Sequence, residues 1–275
     1  MAASRTDGSG KRAKAASGRV DSSVHIRVLD LLQLVASSGR SYSLPELSAV
    51  LRISKPTVFR LCQRLEAEGY LEREPGGRHF NVGPSLVRLG LHAVRSGRAS
   101  VERHAILRAL VDQVGETCNC TTLAGTDVYY LDRVETRWPL RLHLEPGSRV
   151  PVHCTSSGKL FLAHMDKRRR DALLGNLRLE AHTPATITSR KELEAELARI
   201  VDFGYSVDNE EFLLGLIAVA VPVKDHSGTT VAALACHAPV ARLPLASALK
   251  LLPKLRAAAK KLSATLPMDD GAKPE

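Results

Sequence analysis

The sequence predicts an α+β protein in two parts: a helical N-terminal region that ends in a β-hairpin, and a larger region in which strands and helices alternate. Three observations lead to this prediction. Apolar residues recur at helical spacing in the first third of the chain and at mixed helix and strand spacing afterwards. Positive charge is concentrated in the first third. The 275 residues are also enough for one or two domains with cores of their own.

The composition is that of an ordinary globular protein, with 44% hydrophobic and 25% charged residues. The longest apolar run, Leu214–Val223, has the length of a strand and is well short of the roughly 20 residues that span a bilayer. The N-terminal residues lack the apolar stretch of a secretory signal. Five cysteines with uneven spacing do not suggest a disulfide framework, so a cytoplasmic protein without a membrane partner is expected.

The charge is distributed unevenly along the chain. Residues 1–98 hold 16 Lys or Arg and eight Asp or Glu, a net charge of +8. The rest of the chain holds 23 and 21, a net charge of +2, which completes the total of +10. A basic region joined to a nearly neutral one suggests a module that binds a polyanion, although a surface charged for solubility would have the same composition.

The first helices are predicted from apolar spacing and capping residues. Residues 1–20 are rich in Ala, Ser, Gly, Lys and Arg and are expected to form a disordered basic tail. From Ser22, one apolar stripe predicts a helix. Ser43 and Glu46 have the spacing of a capping box at the start of a second helix. The side chains expected to face inward from that second helix are Leu44, Leu47, Val50 and Leu51.

A third helix and a hairpin complete this region. Ser54 is expected to cap the helix, with Pro56 in its first turn, and Gly69 to end it. Two short strands follow around a turn at residues 75–77. Helix, helix, tight turn, helix and hairpin make a winged helix-turn-helix domain, assigned to residues 21–83. The residues expected to contact double-stranded DNA are Ser54, Lys55, Thr57, Arg60 and Arg64 on the third helix and Arg73 and Arg78 on the wing.

A linker helix is predicted over residues 84–98, and it is a candidate for packing against a second copy of itself. Residues 99–268 then form an α+β domain with an antiparallel sheet, and residues 269–275 form a tail. The predicted helices of this α+β domain cover residues 105–114, 155–164, 167–176, 190–203 and 246–266, and the last is kinked or broken at Pro253. Its predicted strands cover 118–123, 128–134, 140–144, 150–153, 205–208, 216–223 and 230–237.

Two sets of motifs resemble the IclR family of bacterial transcriptional regulators. The first is "ISKPTVFRLCQRLEAEGYL" at Ile53–Leu71. The second comprises "GSRVPVHCTSSGKLFLA" at Gly147–Ala163, "GYSVDNEEFLLGLIAVAVPVKD" at Gly204–Asp225 and "AALACHAPVARL" at Ala232–Leu243. The resemblance implies a winged-helix DNA-binding domain, a linker helix and a GAF-like effector domain. It also implies homodimers or homotetramers on palindromic operators.

An effector site is predicted at the start of the helix that Thr155 caps. The first-turn amides and the helix dipole favour an anion there, such as a carboxylate. The resemblance implies that small organic acids bind at this place. By the same resemblance the ligand-binding residues would be Leu142, Val150, Ser156, Ser157, Asp208, Leu216, Ala218, Ala235 and His237.

Three of these positions depart from the commoner family pattern. Ala218 stands where many members carry Cys, and Ala235 and His237 stand where many carry Ser. Methyl groups and an imidazole in place of small polar groups favour an acid with a larger apolar or aromatic body. Its carboxylate would lie on the Ser156 and Ser157 amides, with His237 offering a further hydrogen bond.

Metal binding and catalysis are weaker interpretations. Cys118 and Cys120 form a C-x-C pair on one side of a strand, which lacks the spacing of structural zinc sites and is explained by burial. Cys154 precedes a helix beside His153, but adjacent strand residues face opposite ways, so His153 would be a poor base for it. Asp208, Glu210 and Glu211 read as a solvated turn. No catalytic residue, metal ligand or cofactor is therefore assigned.

The function expected from the sequence is a ligand-responsive transcriptional regulator, more often a repressor, of a catabolic operon. Its partners would be duplex DNA, a small organic or aromatic acid and a second copy of the chain. Two alternatives stay open: a metal- or redox-sensing regulator, and a sensor whose winged helix mediates protein contacts. The effector, the operator and the direction of regulation do not follow from the sequence.

Overall fold

The computed structural model describes residues 24–38, 40–74, 76–139, 141 and 148–266, which divide into two compact units at Leu86–Val87. The predicted tails at 1–20 and 269–275 lie outside these residues, as does the predicted strand at 140–144 apart from Arg141. Each unit has its own apolar core. No helix among the described residues combines the length and apolar character needed to cross a membrane.

The N-terminal unit has the predicted order of helices and wing. Its elements are α1 (Val24–Ser37), β1 (Tyr42–Ser43), α2 (Leu44–Leu51), α3 (Lys55–Ala67), β2 (Leu71–Arg73) and β3 (His79–Val82). Strand β1 was not predicted, because two residues are too short for a periodic pattern. It pairs antiparallel with β3 on one edge while β2 pairs on the other, so the described residues form a three-stranded sheet.

The capping box at α2 is confirmed. The Ser43 amide donates to Glu46 Oε2 at 2.7 Å, and Ser43 Oγ accepts from the Glu46 amide at 3.5 Å. The inward position predicted for Val50 is wrong, since this side chain is 55% exposed. At 100° per residue, Leu44, Leu47 and Leu51 fall within about 60° of arc and Val50 lies roughly 60° beyond it.

The C-terminal unit follows the predicted alternation, and α4 contains the boundary between the units. Its helices are α4 (Pro84–Ser96), α5 (Arg98–Val114), α6 (Ser156–His164), α7 (Lys167–Asn176), α8 (Arg190–Phe203), α9 (Leu245–Leu249) and α10 (Leu252–Ala264). Its strands are β4 (Thr117–Ala124), β5 (Asp127–Val134), β6 (Arg149–Pro151), β7 (Ser206–Asn209), β8 (Leu216–Lys224) and β9 (Thr230–Pro239). The predicted break near Pro253 is confirmed, since α10 begins one residue before it. Helix α5 begins earlier than predicted, because its first turns carry no apolar stripe.

The described strands of this unit form one antiparallel sheet in the order β6-β5-β4-β9-β8-β7. One face packs against α5, α9 and α10 and the other against α6, and α8 packs against α6 in the same apolar cluster. Strand β8 is buried on both faces, which explains its nearly continuous apolar sequence. Because side chains alternate along β4, Cys118 and Cys120 point into the core between the sheet and helices α5 and α10, and Asn119 and Thr121 face the side that carries α6.

Candidate functional site

The N-terminal unit presents the outer face of α3. The inner face of α3 buries Val58, Cys62 and Leu65. Lys55 and Arg60 of the same helix are exposed. Neither cation has an ion-pair partner among the described residues, so both charges are available to a ligand.

The start of α3 differs in detail from the prediction. Ser54 is the N-cap residue, but its hydroxyl makes no capping bond to the helix backbone. It pairs instead with Thr57 Oγ1 at 2.9 Å. Arg64 lies one turn beyond Arg60 on the same helix, and it makes an exposed i,i+4 ion pair with Glu68 at 3.4 Å. The predicted contact residues of α3 thus lie together at one helix end and along one exposed face.

The wing holds its two predicted cations differently. Arg73 is half-buried: its Nε donates to both Glu66 carboxylate oxygens at 2.8 and 2.9 Å, and Nη1 donates to the Gly77 carbonyl at 2.8 Å. Its guanidinium also stacks on Phe80 at 4.4 Å. Arg78 is exposed. Arg73 therefore ties the wing to α3, and Arg78 is the wing cation that faces solvent.

In the C-terminal unit, α6 begins as predicted. Thr155 Oγ1 accepts from the Gly158 amide at 3.2 Å and donates to the Pro151 carbonyl at 2.6 Å. The amides of Ser156 and Ser157 have no acceptor within the described residues. Both serines are buried, so these two N–H groups are donors shielded from water, an arrangement that suits an anion.

A cavity lies between this helix end and the sheet. All the predicted ligand-binding residues line it except Leu142, which lies outside the described residues. The described lining is Asn119, Thr121, Val128, Tyr130, Val150, Thr155, Ser156, Ser157, Asp208, Phe212, Leu216, Ala218, Ala235 and His237. The free volume is about 30 Å³, enough for one or two water molecules.

Strand register explains how distant residues meet on the cavity floor. Asp208 of β7 is opposite Ala218 of β8, which is opposite His237 of β9. In the next row Asn119 of β4 is opposite Ala235. Side chains in one row of an antiparallel sheet lie on the same face, so these strands bring a carboxyl group, an imidazole and an amide together.

The acidic turn is buried, contrary to the solvated turn predicted for Asp208 and Glu211. Asp208 Oδ1 accepts from the amides of Glu211 and Phe212 at 2.8 and 3.2 Å. Burial raises the pKa of Asp208 to about 7, against the opposing effect of these two hydrogen bonds. The prediction failed because the charge of Glu211 is neutralised by Lys159, a residue distant in sequence.

His237 is also buried in the cavity wall. Burial lowers its pKa to about 3, and the nearby positive charge of Arg133 acts in the same direction. The imidazole is therefore neutral near pH 7. Its Nε2 has no hydrogen-bond partner in the described structure, so it can form a bond to a ligand.

Six lining residues were not among those predicted to bind a ligand: Asn119, Thr121, Val128, Tyr130, Phe212 and Thr155, the last of which was predicted only as the cap of α6. Asn119 and Thr121 alternate with two core cysteines on a strand that is buried on both faces. Polar side chains on a face that packs against a helix are themselves a signal of a polar cavity. Phe212 lies on a turn, where no periodic pattern shows the direction of its side chain.

Gly158 allows α6 to approach the backbone of Val152, just after β6. A Cβ at this position would lie 2.3 Å from the Val152 carbonyl oxygen and 2.4 Å from Val152 Cα. Because both atoms belong to the backbone, relief requires the helix to move. We expect Gly158→Ala to lower the free energy of unfolding by about 1–3 kcal/mol in urea denaturation, whereas Gly175→Ala on α7, where a Cβ meets nothing within 4 Å, should not destabilise the unit. Equal stability of the two variants would contradict this packing.

Cys154 does not have the features of an activated nucleophile. Strand β6 ends at Pro151, so the predicted strand alternation of His153 and Cys154 is wrong. Burial raises the pKa of the Cys154 thiol to about 12, and the charges of Asp208 and Glu211 contribute in the same direction. The thiolate is therefore scarce at neutral pH despite the adjacent helix N-terminus.

The chain matches family models along most of its length. Residues 26–75 match the IclR helix-turn-helix domain and residues 93–264 match the C-terminal domain described as bacterial transcriptional regulator IclR C-terminal. The probable transcriptional regulator SauR of Cupriavidus necator is 41% identical over 87% of this chain and 95% of its own. The transcriptional repressor IclR of Escherichia coli is 30% identical over 83% of each chain.

Solved structures agree with these matches. A putative transcriptional regulator from Rhodococcus sp. RHA1 has a TM-score of 0.61 at 27% identity, covering 88% of this chain and 97% of that one. The inducer binding domain of the PobR transcription factor from Acinetobacter, a double mutant in complex with 3-hydroxybenzoic acid, has a TM-score of 0.56 at 29% identity, covering 61% of this chain and 98% of that one.

These matches confirm the resemblance, the α+β fold with an N-terminal helix-turn-helix, and the interpretation as a regulator rather than an enzyme. The two matched domains correspond to the basic N-terminal unit and to the C-terminal unit that contains the cavity. The chain belongs to the IclR family of bacterial transcriptional regulators.

Proposed function

We propose that this regulator is a cytoplasmic repressor of a catabolic operon that binds a palindromic operator through α3 and the wing and responds to a small organic acid. The cavity at the N-terminus of α6 is the observation that carries the proposal. It combines two amides that have no acceptor among the described residues with a largely apolar wall, in the unit that the family model matches.

The DNA-binding half is supported by the charge of α3. Lys55 and Arg60 are exposed at the end and on the outer face of a helix whose other face forms the core. In helix-turn-helix proteins the second helix of the motif enters the major groove with its N-terminal residues toward the bases. Arg78 on the wing extends the positive surface toward the phosphates.

A salt titration tests this half. Duplexes selected from a random pool by the full chain are titrated at several salt concentrations, with a scrambled duplex as control. The affinity should fall steeply with salt, because each neutralised phosphate releases a counterion, and the selected duplex should bind more tightly throughout. A sensor whose winged helix contacts only proteins would select no sequence.

The effector half is supported by the chemistry of the cavity lining. No cationic side chain lines the cavity in the described part of the chain, so a carboxylate there would be held by helix amides and hydroxyl groups. Ala218, Ala235, Leu216 and Val150 supply an apolar wall for the rest of the ligand. The PobR domain in complex with 3-hydroxybenzoic acid supports an aromatic acid as one candidate class.

The present free volume of about 30 Å³ is far below the roughly 300–1,000 Å³ of typical ligand pockets. Effector binding therefore requires the cavity to open. Phe212 is the aromatic side chain of the lining that lies on a turn rather than in a strand or helix. Outward movement of this turn enlarges the cavity without breaking the sheet.

A thermal-shift screen of aliphatic and aromatic carboxylic acids tests the effector half. A specific acid should raise the melting temperature of the full chain with a saturable dose dependence, and the corresponding amide should not. It should also weaken binding to the selected duplex. If no acid gives a shift that distinguishes it from its amide, the effector class is wrong while the DNA-binding half still stands.

Affinity for the acid should depend on pH through Asp208. Because the pKa of Asp208 is about 7, owing first to burial, its neutral form predominates at pH 6 and its carboxylate at pH 8. A carboxylate ligand binds more favourably beside the neutral form, so we expect affinity to fall by up to about tenfold per pH unit above the pKa. Isothermal calorimetry should show this decline in the native chain and in Asp202→Asn, a control at an exposed position of α8, and its absence in Asp208→Asn.

A homodimer or homotetramer would place two recognition helices on the two half-sites of a palindrome. The apolar side chains Leu89, Val94 and Val101 are exposed along α4 and α5, and a second copy of this surface would cover them. The linker helix would then transmit a change in the effector unit to the spacing of the DNA-binding units.

A further inference from the structure

A histidine, a cysteine and a second histidine converge next to the effector cavity. One ligand atom each from His153, Cys154 and His182 lies within 4.8 Å of the others. The first two residues lie between β6 and α6, and His182 lies in the segment between α7 and α8. None of the three lines the effector cavity.

His153 is oriented as a metal ligand. Its Nε2 is 2.9 Å from the carbonyl oxygen of Glu180, and a carbonyl only accepts hydrogen bonds, so Nε2 carries the proton. In the neutral ring Nδ1 then has a free lone pair. This atom is buried without a hydrogen-bond partner in the described structure, and His153 as a whole is 2% exposed. A backbone carbonyl that fixes the tautomer of a ligating histidine is a common outer-shell arrangement in metal sites.

The surrounding charge permits a cation. The ammonium of Lys159 is paired with Glu211 and lies 3.8 Å from a Glu196 oxygen, so its positive charge is compensated. The carboxyl groups of Asp208 and Glu211 are close enough to Cys154 to affect it electrostatically. His182 is exposed, which provides a route of entry from solvent.

We propose that His153 Nδ1, Cys154 Sγ and a His182 ring nitrogen bind a divalent cation of the zinc class. A donor set of one thiolate and two imidazoles binds Zn²⁺ in preference to Mg²⁺ or Ca²⁺. Three protein ligands leave the fourth position of a tetrahedron to water or to an incoming ligand atom. Binding releases the thiol proton to solvent.

The bound cation would also stiffen the cavity wall, a consequence that rests on the proposed function. Thr183 Oγ1 donates to the Glu210 carbonyl and Thr186 Oγ1 to the Glu211 carbonyl, both at 2.6 Å. The His182 ring lies 5.7 Å from the Phe212 ring. A cation joining His182 to the start of α6 would therefore restrain the turn that carries Phe212 and change effector affinity.

Cobalt substitution tests the site independently of any effector. Untagged full-length protein is stripped with a chelator, dialysed and titrated with Co²⁺ alone. We expect one Co²⁺ per chain, a thiolate-to-cobalt charge-transfer band in the near ultraviolet, the intense visible bands of tetrahedral cobalt, and loss of all of them on adding one equivalent of Zn²⁺. A wild-type complex without the charge-transfer band would overturn the proposal.

Three variants locate the ligands. Cys154→Ser should abolish the charge-transfer band, and His182→Gln, a change at an exposed side chain that preserves folding, should lower Co²⁺ affinity at least about tenfold. His226→Gln, an exposed histidine on the β8–β9 turn, is the matched control and should bind as wild type does. Wild-type affinity of His182→Gln, or a charge-transfer band that survives in Cys154→Ser, would show that the cation binds elsewhere.

Discussion

Replacing Lys159 by Met should lower the free energy of unfolding of the C-terminal unit by about 3–5 kcal/mol. Lys159 is 1% exposed in the middle of α6, where its ammonium pairs with the buried carboxylate of Glu211. Methionine has a similar volume, so the substitution removes the charge and leaves most of the packing in place. The loss comes from leaving buried carboxylates without their counter-charge.

Both partners of Lys159 show its influence. Burial raises the pKa of Glu211, and the charge of Lys159 opposes that rise. Although burial also acts on Glu196, hydrogen bonds from Arg199 and the charge of Lys159 hold its pKa below the ordinary value. Glu211 Oε2 already lacks a hydrogen-bond partner within the described residues. Without Lys159, Glu211 would carry an uncompensated charge in the interior or take up a proton.

Urea unfolding of single and double variants separates charge from packing. Lys159→Met combined with Glu211→Gln should recover much of the stability lost in the single variant, because the pair is then neutral. Lys167→Met is the control, since Lys167 forms an exposed i,i+4 pair with Asp171 at 2.7 Å and should change stability little. A loss no larger than that of the control would show that the buried pair is unimportant.

The Lys159–Glu211 pair also shows which kind of contact could not be predicted from the sequence. Helices capped by local signals were predicted well, as at Ser43 and Thr155, because the capping residue and the amide it binds are three residues apart. Lys159 and Glu211 are 52 residues apart, and each alone reads as an exposed charge. Their pairing depends on the sheet order, which puts β7 at one edge, and on the packing of α6 against β7.

The cavity at the N-terminus of α6 shows the same difference between local and long-range signals. The register of the consecutive strands β7, β8 and β9 aligns Asp208, Ala218 and His237, and it includes an irregularity at Val223/Lys224. The pairing of β4 with β9 brings Asn119 opposite Ala235 across more than 100 residues of sequence, and it follows from no local pattern. Asp208, Ala218 and His237 were identified through the family resemblance, whereas Asn119 and Thr121 required the structure. Residues on a turn, such as Phe212, have neither a period nor a register from which their direction can be predicted.

The exposed face of α3 leads to the second large effect: Arg60→Ala should abolish discrimination between the selected duplex and a scrambled one. At 100° per residue, the rotation about the helix axis is about 200° from Val58 to Arg60 and, in the same sense, about 160° from Cys62 to Arg60. Both Val58 and Cys62 are buried. Arg60 therefore faces directly away from the core of the unit, without an ion-pair partner among the described residues. An arginine bound to a guanine edge contributes about 1–3 kcal/mol, and a dimer would lose two such contacts.

Fluorescence anisotropy with both duplexes at one salt concentration measures this discrimination. Arg168→Ala, an exposed arginine on α7 in the other unit, removes the same charge and should retain the wild-type preference. Arg60→Ala should still bind both duplexes weakly, because phosphate contacts such as those proposed for Arg78 do not depend on sequence. It should also keep the thermal shift caused by an acid, because the cavity lies in the C-terminal unit. Wild-type preference in Arg60→Ala would mean that another surface than α3 reads the operator.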